Sequence, residues 1–389
     1  MKINNSNAPS LIYFSPMIGN SCQQDAKPVS SDFHLKWGFI KHVFSNLIIN
    51  KMTILSNNYP VMKFIKINKA LVLSFLVLIF FYSCKENMEK EHEQVDFSNI
   101  HISALYAHSN NGVWVASENQ LFRMVDEMWY EYTDELPVDT INDIAWFKNH
   151  LWLATNSGVY KFSVLGKEIA FKEQYTSDNS ALIDNHVNVF GVSSENTLWA
   201  GTKQGICYFD EAWINDLSPR IRFLNASSFA FRESDYFIGT YGYYLYHYYL
   251  PENVDGVSRA SYMIDGFNGD LSTDTVYTII IDDENALWFG STEGLTKNIG
   301  GTSNLTGTFS YYLNGKDVYQ VVIDNQKQVY AGTNSGLAVI KNESLSIYTT
   351  VDGMPSDTIT ELAIDASQNL WIGTTSGLAK LTGSQIINY

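Results

Sequence analysis

Six short apolar runs in this chain are each led by an acid or an amide: Asn99, Asp139, Asp184, Asp274, Asp317 and Asp357. Gathered in space, such a set would attract a cation or the hydroxyls of a sugar. Carboxylates paired across a cleft would also suit hydrolysis or elimination on a polysaccharide. The plainer reading is turn chemistry, because Asp and Asn side chains bond nearby backbone where a chain reverses. A second unusual stretch, "GTYGYYLYHYYLPEN" at 239–253, contributes Tyr241 and Tyr243. A tyrosine ring offers a sugar an apolar face and a polar edge. Burial in a core is the competing use.

Other chemistry is missing from the pattern. The sequence has no GxSxG, HExxH, phosphate-loop or calcium-hand pattern. The six histidines beyond residue 84 show no zincin spacing, and the arginines of that region are too scattered to clamp a carboxylate. Cys22, Cys84 and Cys207 form no CxxC, so no zinc site is expected. Cys207, inside "GICYFD", reads as a small core residue. No cofactor is expected, and a non-catalytic binding role carries more weight than catalysis.

Net charge is −16 over 389 residues, unevenly spread. Residues 1–83 hold eight Lys and two Asp, whereas 84–389 hold 17 Lys plus Arg against 39 Asp plus Glu. A body that acidic repels nucleic acid, so no DNA or RNA partner is expected.

Residues 62–84, "MKFIKINKALVLSFLVLIFFYSC", begin with Lys63, Lys66 and Lys69 and continue with an uncharged run from Ala70 to Tyr82. That run is shorter than the roughly 20 residues a spanning helix needs, and its order matches a secretory signal. The ending Ser83-Cys84 resembles a bacterial lipoprotein signal, in which the cysteine is lipidated and becomes the mature N-terminus. Phe81 and Tyr82 depart from that pattern. Glu86, Glu89, Glu91 and Glu93 follow. Acids just behind the cysteine resemble a surface-export signal, and they also suit a solvated tether. The expectation is an outer-membrane lipoprotein, held to the membrane by lipid alone and exposed at the cell surface. Residues 1–61 lack sustained periodicity and read as sequence upstream of a start at Met62.

Behind these candidates stands a repeated phrase. "LWLATNSGVYKF", "LWAGTKQGICYF" and "LWIGTTSGLAKL" are three of seven copies. Their aromatic column is Trp114, Trp152, Trp199, Phe237, Trp288, Tyr330 and Trp371, at intervals of 38, 47, 38, 51, 42 and 41 residues. Two places on, every copy has Ala or Gly, then Ser or Thr; five have a glycine three residues after that. An apolar run such as "ITELAI" precedes each phrase, and a short run such as "SLSIYTT" follows it. Each unit thus reads as four short strands joined by turns. Seven such units at a period near 40 residues predict an all-β, seven-bladed β-propeller of four-stranded antiparallel blades over 99–389. The aromatic should wedge blades apart, the small residue admit a neighbouring backbone, the hydroxyl bond the turn, and the glycine supply positive φ.

The phrase resembles the two-component regulator propeller repeat, whose motif runs close to "LWIGT..GL". The likeness covers 99–389 and is strongest in repeats five and seven. Repeat one departs with "VWVASENQLF", and repeat four with "YFIGTYGYYLYH", where Tyr243 replaces the turn glycine. In that family, paired propellers form the extracytoplasmic sensors of hybrid histidine kinases. The resemblance therefore implies an extracytoplasmic module that binds a ligand, a glycan or a partner protein. No kinase follows Tyr389 in this sequence, so signalling by the same polypeptide is not expected.

Overall fold

The structure is a computed structural model that describes residues 95–389, apart from 109–111, 134–135, 137–138, 216, 218, 234, 250–259, 265–272 and 301–306. Cys84, the segment 1–61, the signal-like 62–83 and the tether up to residue 94 lie outside the described residues.

The described chain folds into seven four-stranded antiparallel sheets. Blade 1 comprises β1 (Ala104–His108), β2 (Gly112–Ser117), β3 (Gln120–Val125) and β4 (Met128–Glu131). Blade 2 comprises β5 (Ile141–Phe147), β6 (His150–Thr155), β7 (Gly158–Leu165) and β8 (Glu168–Tyr175). Blade 3 comprises β9 (Val187–Val192), β10 (Leu198–Thr202), β11 (Gly205–Phe209) and β12 (Trp213–Ile214). Blade 4 comprises β13 (Ala226–Arg232), β14 (Asp235–Thr240), β15 (Leu245–Tyr249) and β16 (Ala260–Ile264). Blade 5 comprises β17 (Val276–Ile281), β18 (Leu287–Ser291), β19 (Gly294–Ile299) and β20 (Thr308–Tyr312). Blade 6 comprises β21 (Val318–Ile323), β22 (Val329–Thr333), β23 (Gly336–Lys341) and β24 (Ser344–Tyr348). Blade 7 comprises β25 (Ile359–Ile364), β26 (Leu370–Thr374), β27 (Gly377–Thr382) and β28 (Gln385–Asn388). In every blade the strands lie in chain order, and the first strand is innermost, packed against the first strands of both neighbours. The predicted architecture is therefore the observed one.

Local chemistry explains the hairpins. Two-residue reversals at Asp126-Glu127, Lys148-Asn149 and Asn342-Glu343 place both residues at positive φ, the geometry that follows the twist of paired strands. In blades 5 to 7, Asp282, Asp324 and Asp365 cap the turn between the first two strands. The same carboxylates accept from the aromatic column: Trp288 Nε1 at 2.9 Å, the Tyr330 hydroxyl at 3.1 Å and Trp371 Nε1 at 3.0 Å. A buried indole N–H is thus paired rather than orphaned.

The core is divided. Among the described residues seven apolar clusters exist, each shared by two consecutive blades, and none of them fills the centre of the ring. All members of the aromatic column except Tyr330 are buried. Opposite them on the next strand stand Arg123, Lys161, Lys297 and Lys380, each with its charge over the facing indole at 4.8–5.1 Å. Tyr208 and His247 instead stack on Trp199 and Phe237. The small column works as expected. A Cβ on Gly201, Gly290, Gly332 or Gly373 would come within 2.6–2.8 Å of the next blade's innermost strand or the residue leading into it.

The hydroxyl column also acts at the turn. Thr155, Thr202, Ser291, Thr333 and Thr374 each donate to the carbonyl three residues on, at 2.7–3.1 Å. The glycine rule needs two corrections. Gly205 is not at positive φ; its small size is what the turn requires, because a Cβ there would sit 2.2 Å from the Arg222 carbonyl oxygen. In blade 4 the turn has one extra residue. Thr240 bonds the carbonyl of Tyr244, four residues on, and Tyr244 itself takes positive φ at 66°. Tyr244, rather than Tyr243, occupies the glycine place, and Leu245 fills the following apolar column.

Among the described residues no strand is exchanged to close the ring. A strap formed by residues 97–102 does so instead. Phe97 N–H donates to Tyr389 O at 3.2 Å, Asn99 N–H to Ser376 O at 3.1 Å and Ile102 N–H to Thr374 O at 3.0 Å. Trp129 of blade 1 meets Trp371 of blade 7 edge to face at 5.9 Å, and Phe97 packs on Trp129 at 4.8 Å.

Candidate functional site

Strands around an axis leave their inner edges unpaired, and those edge groups need partners. The second position of each inner run solves this. In blades 2 to 7 the pairing of the two inner strands slips by one residue there, leaving Asn142, Asn188, Ser227, Tyr277, Tyr319 and Thr360 unopposed. Such a bulge turns a side chain in a new direction, here toward the axis and the next blade. Asn142 Nδ2 donates to Val187 O at 2.8 Å, Asn188 Nδ2 to Ala226 O at 2.9 Å, and Thr360 Oγ1 to Ile102 O at 2.8 Å. Ser103 Oγ makes the same bond to Ile141 O at 2.8 Å, and Ser227 Oγ makes it to Val276 O. Five blades are thus stitched to their neighbours around the axis.

Blades 5 and 6 break the rule. Their bulge residues are Tyr277 and Tyr319, whose rings line an axial cavity instead. Tyr277 meets Tyr319 at 5.2 Å with planes 58° apart, and Tyr241 meets Tyr277 at 6.2 Å and 66°. Tyr241 comes from the central hairpin turn of blade 4 and keeps 41% exposure at the mouth. The cavity has adjoining lobes of about 450 and about 400 Å³, which share Asn142, Asn188, Tyr241, Thr360 and Glu361. That size suits a small organic ligand or one side chain of a larger one.

The third position adds charge. Asp143 of β5 and Glu361 of β25 line the cavity. Asp143 accepts from Ile144 N–H at 2.7 Å and, across the gap, from Phe190 N–H at 2.6 Å. Glu361 accepts from Gln320 Nε2 at 3.4 Å, and Gln320 Oε1 accepts from the Thr278 hydroxyl at 2.8 Å. Both carboxyls have only partial surface access, gained through the cavity itself. Burial pushes Asp143 up to about 7, against the pull of its two backbone donors. Burial pushes Glu361 up to about 8, and the charge of Asp143 adds to it. Burial, followed by the charge of Glu361, also raises the Tyr241 hydroxyl. These carboxyls, with Tyr277, Tyr319 and Gln320, were not among the residues singled out from sequence. The available signal was a charge or a tyrosine inside an innermost strand, as in "INDIAW", "VYQVVI" and "ITELAI".

Of the residues expected from sequence, Tyr241 alone lines the cavity. Tyr243 lies in the same turn, 57% exposed. Asn99 takes positive φ in the strap. Asp139 accepts from Ser157 Oγ at 2.5 Å, Asp184 from His186 N–H at 3.2 Å and Asp274 from Thr275 Oγ1 at 3.2 Å. Asp317 accepts from Asn334 Nδ2 at 3.0 Å, and Asp357 from Thr350 N–H at 2.7 Å. The Asp184 bond is a local turn bond of the kind Asp makes anywhere, whereas Asp139, Asp317 and Asp357 each reach a loop 7 to 18 residues away. Among the described residues, no group of three or more His, Cys, Asp or Glu could hold a metal, and no helix is long and apolar enough to cross a membrane.

No protein-family model matches the sequence, nor does any curated protein. Solved structures do match in fold. The extracellular domain of the putative hybrid two-component system BT3049 from B. thetaiotaomicron is 17% identical, with a TM-score of 0.59 over 73% of this chain and 40% of that one. PorZ, an essential surface component of the type-IX secretion system of Porphyromonas gingivalis, is 15% identical, with a TM-score of 0.57 over 74% and 46%. This chain therefore spans less than half the length of either. A streptogramin B lyase is 10% identical, with a TM-score of 0.56 over 76% and 96%. At these identities the likeness is one of fold.

Proposed function

We propose that the chain is a lipid-anchored extracytoplasmic propeller that binds a ligand, glycan or protein in origin, at its axial mouth without chemical turnover. One observation carries this reading: two blades forgo the stitching bond and present tyrosines to a cavity that also holds two carboxyls. The signal-like 62–84 supports the address, as do the neighbours in fold, an extracellular domain and a surface component. The anchor is tested by metabolic labelling with an alkyne fatty acid. Label on the wild-type chain that vanishes in Cys84→Ala supports it, and equal label in both rejects it. The site is tested on the full chain in detergent with an oligosaccharide array and a peptide array. Binding abolished by Tyr277→Leu supports the reading, and binding indifferent to it moves the site elsewhere.

A second reading is favoured by Glu361, whose carboxyl holds its proton to about 8 and could serve as a general acid on a polysaccharide. Released oligosaccharide that disappears in Glu361→Gln would establish it, and intact polymer after long incubation excludes it for the polymers tried.

A further inference from the structure

The stitching side chains in the wall of the axial cavity have spent their donors. Both N–H groups of the Asn142 amide are used, on Val187 O and on Asn156 Oδ1 at 3.0 Å. Both of the Asn188 amide are used, on Ala226 O and on Asn225 Oδ1 at 2.9 Å. A backbone carbonyl only accepts, so these bonds fix which way each amide points. The hydroxyls of Ser103, Ser227 and Thr360 donate to carbonyls of the next blade, and Gln320 Nε2 donates to Glu361. Beside these spent donors stand the two asparagine amide oxygens and the carboxyls of Asp143 and Glu361, which a bound cation would hold ionised; the hydroxyls of Thr140, Tyr241, Tyr277 and Thr358 and the imidazoles of His101 and His186 also line the lobes. Glu118 adds a third carboxylate at the rim, and no Lys or Arg lines either lobe.

A neutral sugar hydroxyl both gives and takes hydrogen bonds, but draws nothing from the charge of two buried carboxyls. An ammonium or guanidinium group only donates. Its charge would draw the buried carboxyls of Asp143 and Glu361 into their ionised form, against the burial that raises them, in a space where water screens poorly, and would meet tyrosine faces that attract cations through the ring quadrupole. We propose that the axial cavity receives an organic cation, a primary ammonium or a guanidinium group, at Asp143 and Glu361 and against Tyr241, Tyr277 and Tyr319. This deepens the binding-module reading and rests on it.

The test uses the full chain in detergent and calorimetric titration. The probes are Ac-Gly-Lys-NH2, Ac-Gly-Arg-NH2, the Nε-acetylated lysine counterpart, cadaverine and chitotriose. The cationic probes are expected to bind, with the acetylated one about tenfold weaker or worse. Glu361→Gln and Tyr277→Leu should each weaken the cationic probes by about tenfold, with melting curves confirming that the variants fold. A peptide bound more tightly than cadaverine points to a protein side chain as the source, and the reverse points to a free amine. No binding of any cationic probe at about 10 mM overturns the proposal. So does chitotriose bound more tightly than lysine and lost in Tyr277→Leu, which would leave the axial binding site standing. Should both variants leave every probe's binding unchanged, the cavity is not the site, and the parent reading fails too.

Discussion

The hydroxyl of Thr360 donates to the carbonyl of Ile102 at 2.8 Å across 258 residues of sequence. It is the same bond that Ser103, Asn142, Asn188 and Ser227 make within the run of the chain. The junction between the last and first blades therefore follows the ring's general rule, although no loop crosses it.

Replacing Thr360 by Val keeps the shape and removes that donor. The cost should be about 1 kcal/mol, the usual net worth of one such bond plus the orphaned carbonyl. Chemical denaturation is the check, with Ser103→Ala expected to match it. A midpoint unchanged in Thr360→Val but lowered in Ser103→Ala would show that the junction bond contributes nothing.

Close approach between blades makes a second prediction. A Cβ at Gly332 would lie 2.8 Å from Ile359 Cγ2, and one at Gly373 would lie 2.7 Å from Ile102 Cγ2. Gly332→Ala and Gly373→Ala should each destabilise by about 1–3 kcal/mol, as overpacking does. Neutral values in equilibrium unfolding would mean that the blades can part at no cost.

The carboxyls at the axis set a pH dependence whose sign is fixed. Asp143 and Glu361 bind protons more tightly folded, at about 7 and about 8, than an unfolded chain does near 4. Their contribution to stability is thus complete below about pH 4 and is lost as pH rises through about 7 and 8. The share of these two carboxyls in the thermal midpoint should fall from about pH 4 to about pH 8 and level off above it, and the double change Asp143→Asn with Glu361→Gln should flatten that fall. Asp365 has the opposite sign. Burial raises its carboxyl, but donors from Asn369, Trp371 and Ser367 outweigh that and hold it below the ordinary value. Its share is present above about pH 4 and is lost on acidification. Parallel midpoint curves for wild type and double variant would refute the assignment.

Cys207 should be inert. Its thiol is buried, and burial pushes it up to about 12, so almost none is thiolate at neutral pH. Peptide-resolved labelling with a thiol reagent should modify Cys207 only at denaturant concentrations that unfold the ring. Rapid native labelling would place it at an accessible surface.

The sequence made the scaffold readable because the same demand is written at each blade. A wedge at Trp152 and Trp371, a close approach at Gly201 and Gly373, and a turn bond at Thr202 and Thr374 recur at one spacing. The site was less readable for the converse reason. Asp143, Glu361 and the Tyr277–Tyr319 pair are departures from a column, and their meaning depends on a bulge that turns them inward. A one-residue slip in pairing leaves no mark in composition. The extra residue in the blade 4 turn was hidden too, because Tyr244 adopts a backbone conformation usually left to glycine.

The strap at residues 97–102 gives the ring an asymmetry that its repeats conceal. Six joints are crossed by covalent chain, and the seventh is a clasp of hydrogen bonds and aromatic contacts. Tension applied along the segment that precedes Phe97 would load this clasp before any sheet. Such a bracelet opens at its fastening and keeps its links, so its resistance to pulling is set by Phe97, Trp129 and Trp371, far from the axis where a ligand would sit.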